Sequence, residues 1–183
     1  MTIIIILLIF AATIYLHVTK GSGYSLIKLL GLIGSYLMAW LFYQPMSKFL
    51  SLWVPYPGLR LDVSFTYYPD SMMTQLDTVY YQAVAFIFIF LIGQLIVALI
   101  NHLVGNQRDL RYPRSIDYLF GVISGVTQAW FIVFLAFAFM TLLTFPIIQN
   151  YLANNVVADF FIRNSMIFSR HTLGLWLNGV ATI

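Results

Sequence analysis

Residues Thr78–Val104 read TVYYQAVAFIFIFLIGQLIVALINHLV, without one Asp, Glu, Lys or Arg. As a helix rising roughly 1.5 Å per residue, the run measures about 40 Å. Crossing the ~30 Å hydrocarbon core of a bilayer takes about 20 apolar residues, so this stretch reads as a membrane span. Three more runs read the same way: residues 2–18, residues 24–44 ended by Pro45, and residues 116–145 ended by Pro146. No charge occurs between Asp117 and Asp159.

The whole composition agrees. Of 183 residues, 61% are hydrophobic and 8% charged, and mean hydropathy is +0.89. Soluble domains carry about 25% charged residues, so a water-soluble enzyme and a disordered chain are both excluded. There is no cysteine, which removes disulfides, thiol catalysis and cysteine-ligated metal centres. The net charge of +3 reflects nine Lys/Arg against six Asp and no Glu. The basic residues cluster only near residue 110, so nucleic-acid binding is not expected. The fold class expected is an all-α integral membrane protein in one domain, residues 1–183. Four transmembrane helices are joined by amphipathic interfacial helices in the second connection and at the C-terminus.

Lys and Arg in short loops mark the cytoplasmic side. Lys20, Lys28, Arg108, Arg111 and Arg114 lie at the two tight connections. Lys48, Arg60, Arg163 and Arg170 lie on the other side. Both tight connections are therefore expected in the cytoplasm, and both termini outside. The first span has no basic residue before it, unlike a secretory signal peptide, and reads as an uncleaved anchor.

The external segment 46–77 carries several prolines with Trp53, Tyr56, Tyr67 and Tyr68. Trp and Tyr favour the membrane interface, and a short interfacial helix is expected near residues 47–54. In the tail, residues 147–183, Leu152, Val156 and Phe160 recur every fourth residue, as do Asn155, Asp159 and Arg163. This spacing predicts one amphipathic helix, then a second one capped near Asn164 or Ser165 and running through Trp176, both lying on the outer surface. A fifth span is disfavoured, since each charge at a helix centre costs ~2.5–3.5 kcal/mol on insertion scales.

SLIKLLGLIGSYLMAW, residues 25–40, and SIDYLFGVISGVTQAW, residues 115–130, align at a constant offset. Within them Gly31, Ser35 and Ala39 fall on one helix face, and Gly121, Gly125 and Ala129 on another. In lipid, small residues let helix backbones approach closely. The two stripes sit at matching depth, so spans two and four are expected to meet through them as parallel neighbours. Lys28 and Asp117, one turn before each stripe, are expected to form an ion pair. Failing that contact, the stripes would serve homo-oligomerisation.

Ionisable and polar groups inside a membrane are functional suspects. For Lys28 and Asp117 a structural role, with Asp117 near a helix N-terminus, is favoured over catalysis. His17, His102 and Asp117 share one level but lack metal-ligand spacing, and no metal or other cofactor is expected. Gln94, Ser124 and Gln128 overlap in depth, which favours interhelical hydrogen bonds over a lined solute path. Ser165, Ser169 and His171 lack a Gly-x-Ser-x-Gly elbow, a Walker-type loop is absent, and only Asp117 could serve a paired-aspartate protease. No catalytic residue is assigned.

Ile116-Asp117-x-x-x-Gly121-x-x-x-Gly125 resembles the I-D-x-x-x-G-x-x-x-G signature of the bacterial CvpA family, the colicin V production proteins. Gly23-Tyr24-Ser25-Leu26-Ile27-Lys28 followed by Leu29-Leu30-Gly31 is similar to that family's first turn and second span, and Ser165 resembles a Ser after its last span. The likeness runs from about residue 1 to 175. It departs in the sparse charge of the first turn and the bulky, proline-rich external segment. The resemblance implies a cytoplasmic-membrane protein with four spans, linked to toxin production or export and to envelope homeostasis. It also implies a module that anchors or regulates, since the family occurs as the membrane part of larger proteins.

Two functions compete. One is a non-enzymatic scaffold or accessory factor that sits in the lipid bilayer and binds a protein partner or a second copy of itself. The other is a channel or transporter subunit for a small solute, which needs a polar lining that this charge-poor interior scarcely offers.

Overall fold

The computed structural model describes residues 2–57, 65–68, 75–104, 114–165 and 168–177. Helix α1 covers Thr2–Lys20, α2 Ser22–Leu50, α3 Leu76–Leu103 and α4 Arg114–Met140. Then come α5, Pro146–Ala153, and α6, Val156–Asn164. A π-helical turn, Ser169–Leu173, runs directly into α7, Gly174–Leu177. No strand occurs among the described residues. The four long helices are long and apolar enough to cross a membrane, and the protein is an all-α membrane protein.

The chain forms two compact units. The first holds α1, α2 through Ala39, α3 from Ile89, and α4 through Ile132. Its outer surface is aliphatic: Leu7 and Leu8 on α1, Leu30 and Leu37 on α2, Leu95 and Leu99 on α3, and Leu119 and Ile123 on α4 are all exposed. A soluble protein rarely exposes apolar patches of more than a few hundred Å², so this is a lipid-facing surface. A single residue, Gly21, links α1 to α2 in the left-handed region at φ 86°, a conformation that glycine adopts without steric cost. Backbone bonds from Gly21 N to His17 O and from Ser25 N to Gly21 O close this tight hairpin.

The second unit holds the end of α2, the start of α3, the end of α4 and the tail. Trp176, Phe86 and Phe134 are fully buried there, with Phe86 edge-on to Trp176 at 6.0 Å. Buried Gln149 on α5 joins three segments. Its Oε1 accepts from Thr66 N at 3.1 Å, and its Nε2 donates to Thr141 O at 3.2 Å and Leu143 O at 2.7 Å. The last carbonyls of a helix lack intrahelical partners, and Gln149 supplies donors to this turn.

Three boundaries correct the expectations. Pro45 does not end the second span: α2 runs through it to Leu50, so no separate interfacial helix covers residues 47–54. Proline is tolerated in membrane helices because neighbours re-satisfy the freed carbonyl. The fourth span stops at Met140 rather than 145, where Thr141 Oγ1 donates back to Ala138 O at 2.7 Å and so competes with the helix ladder. Pro146 then occupies the first turn of α5, where its missing N–H costs nothing. Finally, Leu152, Val156 and Phe160 do not share a face. Asn155 caps α6 by accepting from Val157 N and Ala158 N, which breaks the run. Leu152 is buried, while Val156 and Phe160 are exposed and Ala158, Phe161 and Ile162 fill the core.

Candidate functional site

The α1–α2 hairpin brings His17 next to Ser25. The His17 ring is 2% exposed and bonded on both sides: Nδ1 lies 3.0 Å from Ser25 Oγ, and Nε2 2.7 Å from Gln128 Oε1 on α4. A neutral ring protonated at Nε2 satisfies this geometry by donating to Gln128 and accepting the Ser25 hydroxyl at Nδ1. Tyr24 stands edge-on to the imidazole at 5.4 Å, and Lys20 Nζ lies 4.8 Å over the Tyr24 ring. One histidine thus ties α1, α2 and α4 together. Both its nitrogens are engaged, so it offers no free lone pair to a metal.

Gln94 performs the same task between α3 and α2, donating to Gly31 O at 3.3 Å and Ser35 Oγ at 3.1 Å. In lipid such bonds contribute ~0.6–1.7 kcal/mol each. Gln94 and Gln128 therefore bond helix to helix, though to different partners rather than to one another. Ser124, 1% exposed, has an Oγ without a hydrogen-bond partner among the described residues.

The small-residue stripes are close-packed, but not against each other. A Cβ built on Gly31 collides with the Val97 side chain of α3, and one on Gly93 of α3 meets Ser35 Oγ at 2.5 Å. A Cβ on Gly121 meets Val18 Cα of α1 at 3.1 Å, and one on Gly125 meets Ile14 Cα at 2.7 Å. Falling against rising numbers make both contacts antiparallel. Ala39 and Ala129 are both fully buried. At Gly31, Ser35, Gly121 and Gly125 the expected parallel seam of α2 on α4 is thus replaced by α2 on α3 and α4 on α1. Rings set the other contacts: Phe10 meets Trp130 at 6.4 Å, and Phe131 meets Tyr36 at 5.7 Å and Phe90 at 5.0 Å.

The expected Lys28–Asp117 pair is not formed either. Among the described residues the ion pair is Arg163–Asp159, Nε to Oδ1 at 2.6 Å. The buried Oδ1 of Asp117 has no hydrogen-bond partner among those residues. The loop with Arg108 and Arg111 lies outside the described residues, as does Arg60.

In the second unit Asp159 gathers two donors. Its Oδ1 accepts from Arg163 Nε and, at 3.1 Å, from Tyr67 OH, and the guanidinium sits 5.7 Å from the Tyr67 ring centre. Burial, then the bond to Asp159 and its charge, push the Tyr67 phenol up to about 12, against a smaller downward pull from Arg163. Tyr67 thus remains a neutral donor at physiological pH. Because its pKa is raised on folding, this contribution is complete below its ordinary value of 10.0 and is lost as pH climbs toward 12.

The sequence singled out Gln128 and His17 separately, Gln128 at the depth of Gln94 and Ser124 and His17 at the level of His102 and Asp117, and it missed the three-residue junction. The available signals were the single-residue turn at Gly21 and the eight-residue spacing of His17 and Ser25, which together fold one side chain onto the other.

The chain matches the family described as "Colicin V production protein" over residues 3–166. It is 25% identical over 175 residues to the uncharacterized transmembrane protein YshB of Bacillus subtilis (strain 168), covering 95% of this chain and 96% of that protein. No solved structure matches it.

Proposed function

The chain belongs to the colicin V production protein family, and on that premise we propose that it is a non-enzymatic scaffold of the bacterial cytoplasmic membrane. It acts as an accessory factor in toxin production or export and in envelope homeostasis, by binding a protein partner or a second copy of itself. The observation that carries this reading is the use made of polar groups within the spans. His17, Ser25, Gln128, Gln94 and Ser35 bond one helix to another, which holds a surface rigid for a partner.

The Ser25–His17–Gln128 chain is a poor catalyst. Ser25 is fully buried, so no substrate reaches its hydroxyl. In a Ser–His–Asp triad the serine meets Nε2 and a carboxylate at Nδ1 stabilises the imidazolium. Here the nitrogens are exchanged and the third group is a neutral amide. The competing reading, a channel or transporter subunit, draws on the unpartnered Ser124 Oγ and Asp117 Oδ1, which a hydrated path would satisfy.

Chemical cross-linking in native membranes with mass spectrometry tests the choice. A reproducible partner, or a second copy, is expected. A chain that cross-links to nothing, and passes a small solute when reconstituted in vesicles, would overturn the scaffold. In the same proposal both termini lie outside. An impermeant thiol reagent applied to intact cells should label Asn178→Cys and spare Asn106→Cys; the reverse pattern inverts the topology.

A further inference from the structure

The second unit carries a surface groove of about 690 Å³, within the ~300–1,000 Å³ of small-molecule sites. Its wall brings together Arg163 at the end of α6, Arg170 on the π-helical turn, and apolar Ile162, Leu173 and Leu177. The neighbouring hydroxyls are already engaged: Thr66 Oγ1 with Gln149 O, Tyr67 OH with Asp159, and Thr141 with Tyr68 and Ala138. The guanidiniums are what remains to meet a ligand.

Arg163 is oriented by Asp159 through Nε alone, leaving its two terminal nitrogens available. Arg170 is exposed and makes no hydrogen bond or ion pair among the described residues. With Asp159 the only carboxylate in this group, the charge balance is one positive. Guanidinium matches the geometry of phosphate oxygens. The turn that carries Arg170 is π-helical, a form found mostly as single turns and frequently at functional sites.

We propose that this groove binds an anionic, phosphate-bearing amphiphile, its phosphate held by Arg163 and Arg170 and its apolar part against Ile162, Leu173 and Leu177. An acidic phospholipid supplies both parts; a free phosphate supplies only the first.

The test uses the full chain purified in a neutral detergent, with bound lipid read by native mass spectrometry. Phosphatidylglycerol, phosphatidylcholine and inorganic phosphate are the probes. Phosphatidylglycerol is expected to be retained over phosphatidylcholine, and Arg170→Gln to weaken it about tenfold or more, as loss of a charge-assisted bond implies. Gly174→Leu is the second variant. Gly174 lines the groove, and nothing lies within 4 Å of a Cβ built there. The added side chain should therefore intrude on the site, hinder the lipid and leave every charge in place. Lys48→Gln, at an exposed cation outside the lining, should change nothing. If inorganic phosphate displaces the lipid at equal concentration, the anion site stands with a soluble source. Equal retention of the two lipids, or wild-type retention by both Arg170→Gln and Gly174→Leu, overturns the proposal.

Discussion

Gly125→Leu is expected to leave no folded protein, and Gly125→Ala to destabilise it by ~1–3 kcal/mol, the usual range for overpacking. The reason is what the new Cβ meets: Ile14 Cα at 2.7 Å and Ile14 N at 3.0 Å. These are backbone atoms, so α1 itself must move away from α4. Truncation of the neighbour, Ile14→Ala, is therefore expected not to rescue Gly125→Ala. Gly34 is the control, since nothing lies within 4 Å of its Cβ. There the alanine should stabilise by up to ~1 kcal/mol through helix propensity alone. Recovery of monodisperse protein after heating, read by fluorescence-detected size exclusion, separates the two. Equal behaviour of Gly125→Ala and Gly34→Ala would remove the glycine contact from the account.

Gly31→Leu is expected to be nearly as damaging, but its milder form behaves differently. A Cβ at Gly31 collides with both γ-methyls of Val97, with the Val97 Cβ behind them at 3.0 Å. The obstacle is a side chain, and a stiff one, because β-branching leaves Val few rotamers in a helix. Gly31→Ala alone should cost ~1–3 kcal/mol. Adding Val97→Ala removes the γ-methyls and leaves a Cβ contact short by a few tenths of an ångström, so much of the loss should be recovered. The same heat-and-filter measurement checks it. An absent rescue would mean that α2 does not lie on α3 here. Both glycines are sensitive for one reason. Lipid tails are as apolar as leucine, so burying apolar surface between helices gains little, and close packing with a few interhelical hydrogen bonds carries the association.

Much of this architecture is legible in the residues, and the failures have physical causes. The spans at Thr78–Val104 and Thr2–Val18 declare themselves because an uncharged run of that length has no other stable setting. Proline and periodicity mislead locally. Pro45 reads as a stop under soluble-helix rules, yet a membrane-spanning helix carries it onward to Leu50. The four-residue spacing of Leu152, Val156 and Phe160 reads as one helix, yet an Asn at position 155 caps a new one. The glycine stripes are visible as stripes, but which helix each one faces depends on contacts distant in sequence. The repeat offers the missing hint. If α1–α2 and α3–α4 are equivalent halves about an axis along the membrane normal, the second helix of each half can pack on the first helix of the other. Gly31 against Val97 and Gly121 against Val18 are that exchange. Gln149, buried and three-way bonded, gave no sequence signal, because a lone Gln in an amphipathic tail reads as solvated.

The central claim is that the small-residue stripes join α2 to α3 and α4 to α1. Disulfide trapping tests it most directly, because the chain contains no cysteine of its own. A Cβ at position 31 lies 3.0 Å from Val97 Cβ. A disulfide needs about 3.5–4.5 Å between these atoms, a spacing reached by a small shift. Mild oxidation in membranes should lock Gly31→Cys/Val97→Cys into an intrachain disulfide, while Gly31→Cys/Gly121→Cys should stay reduced. Trapping of the second pair without the first would contradict the account and restore the parallel seam.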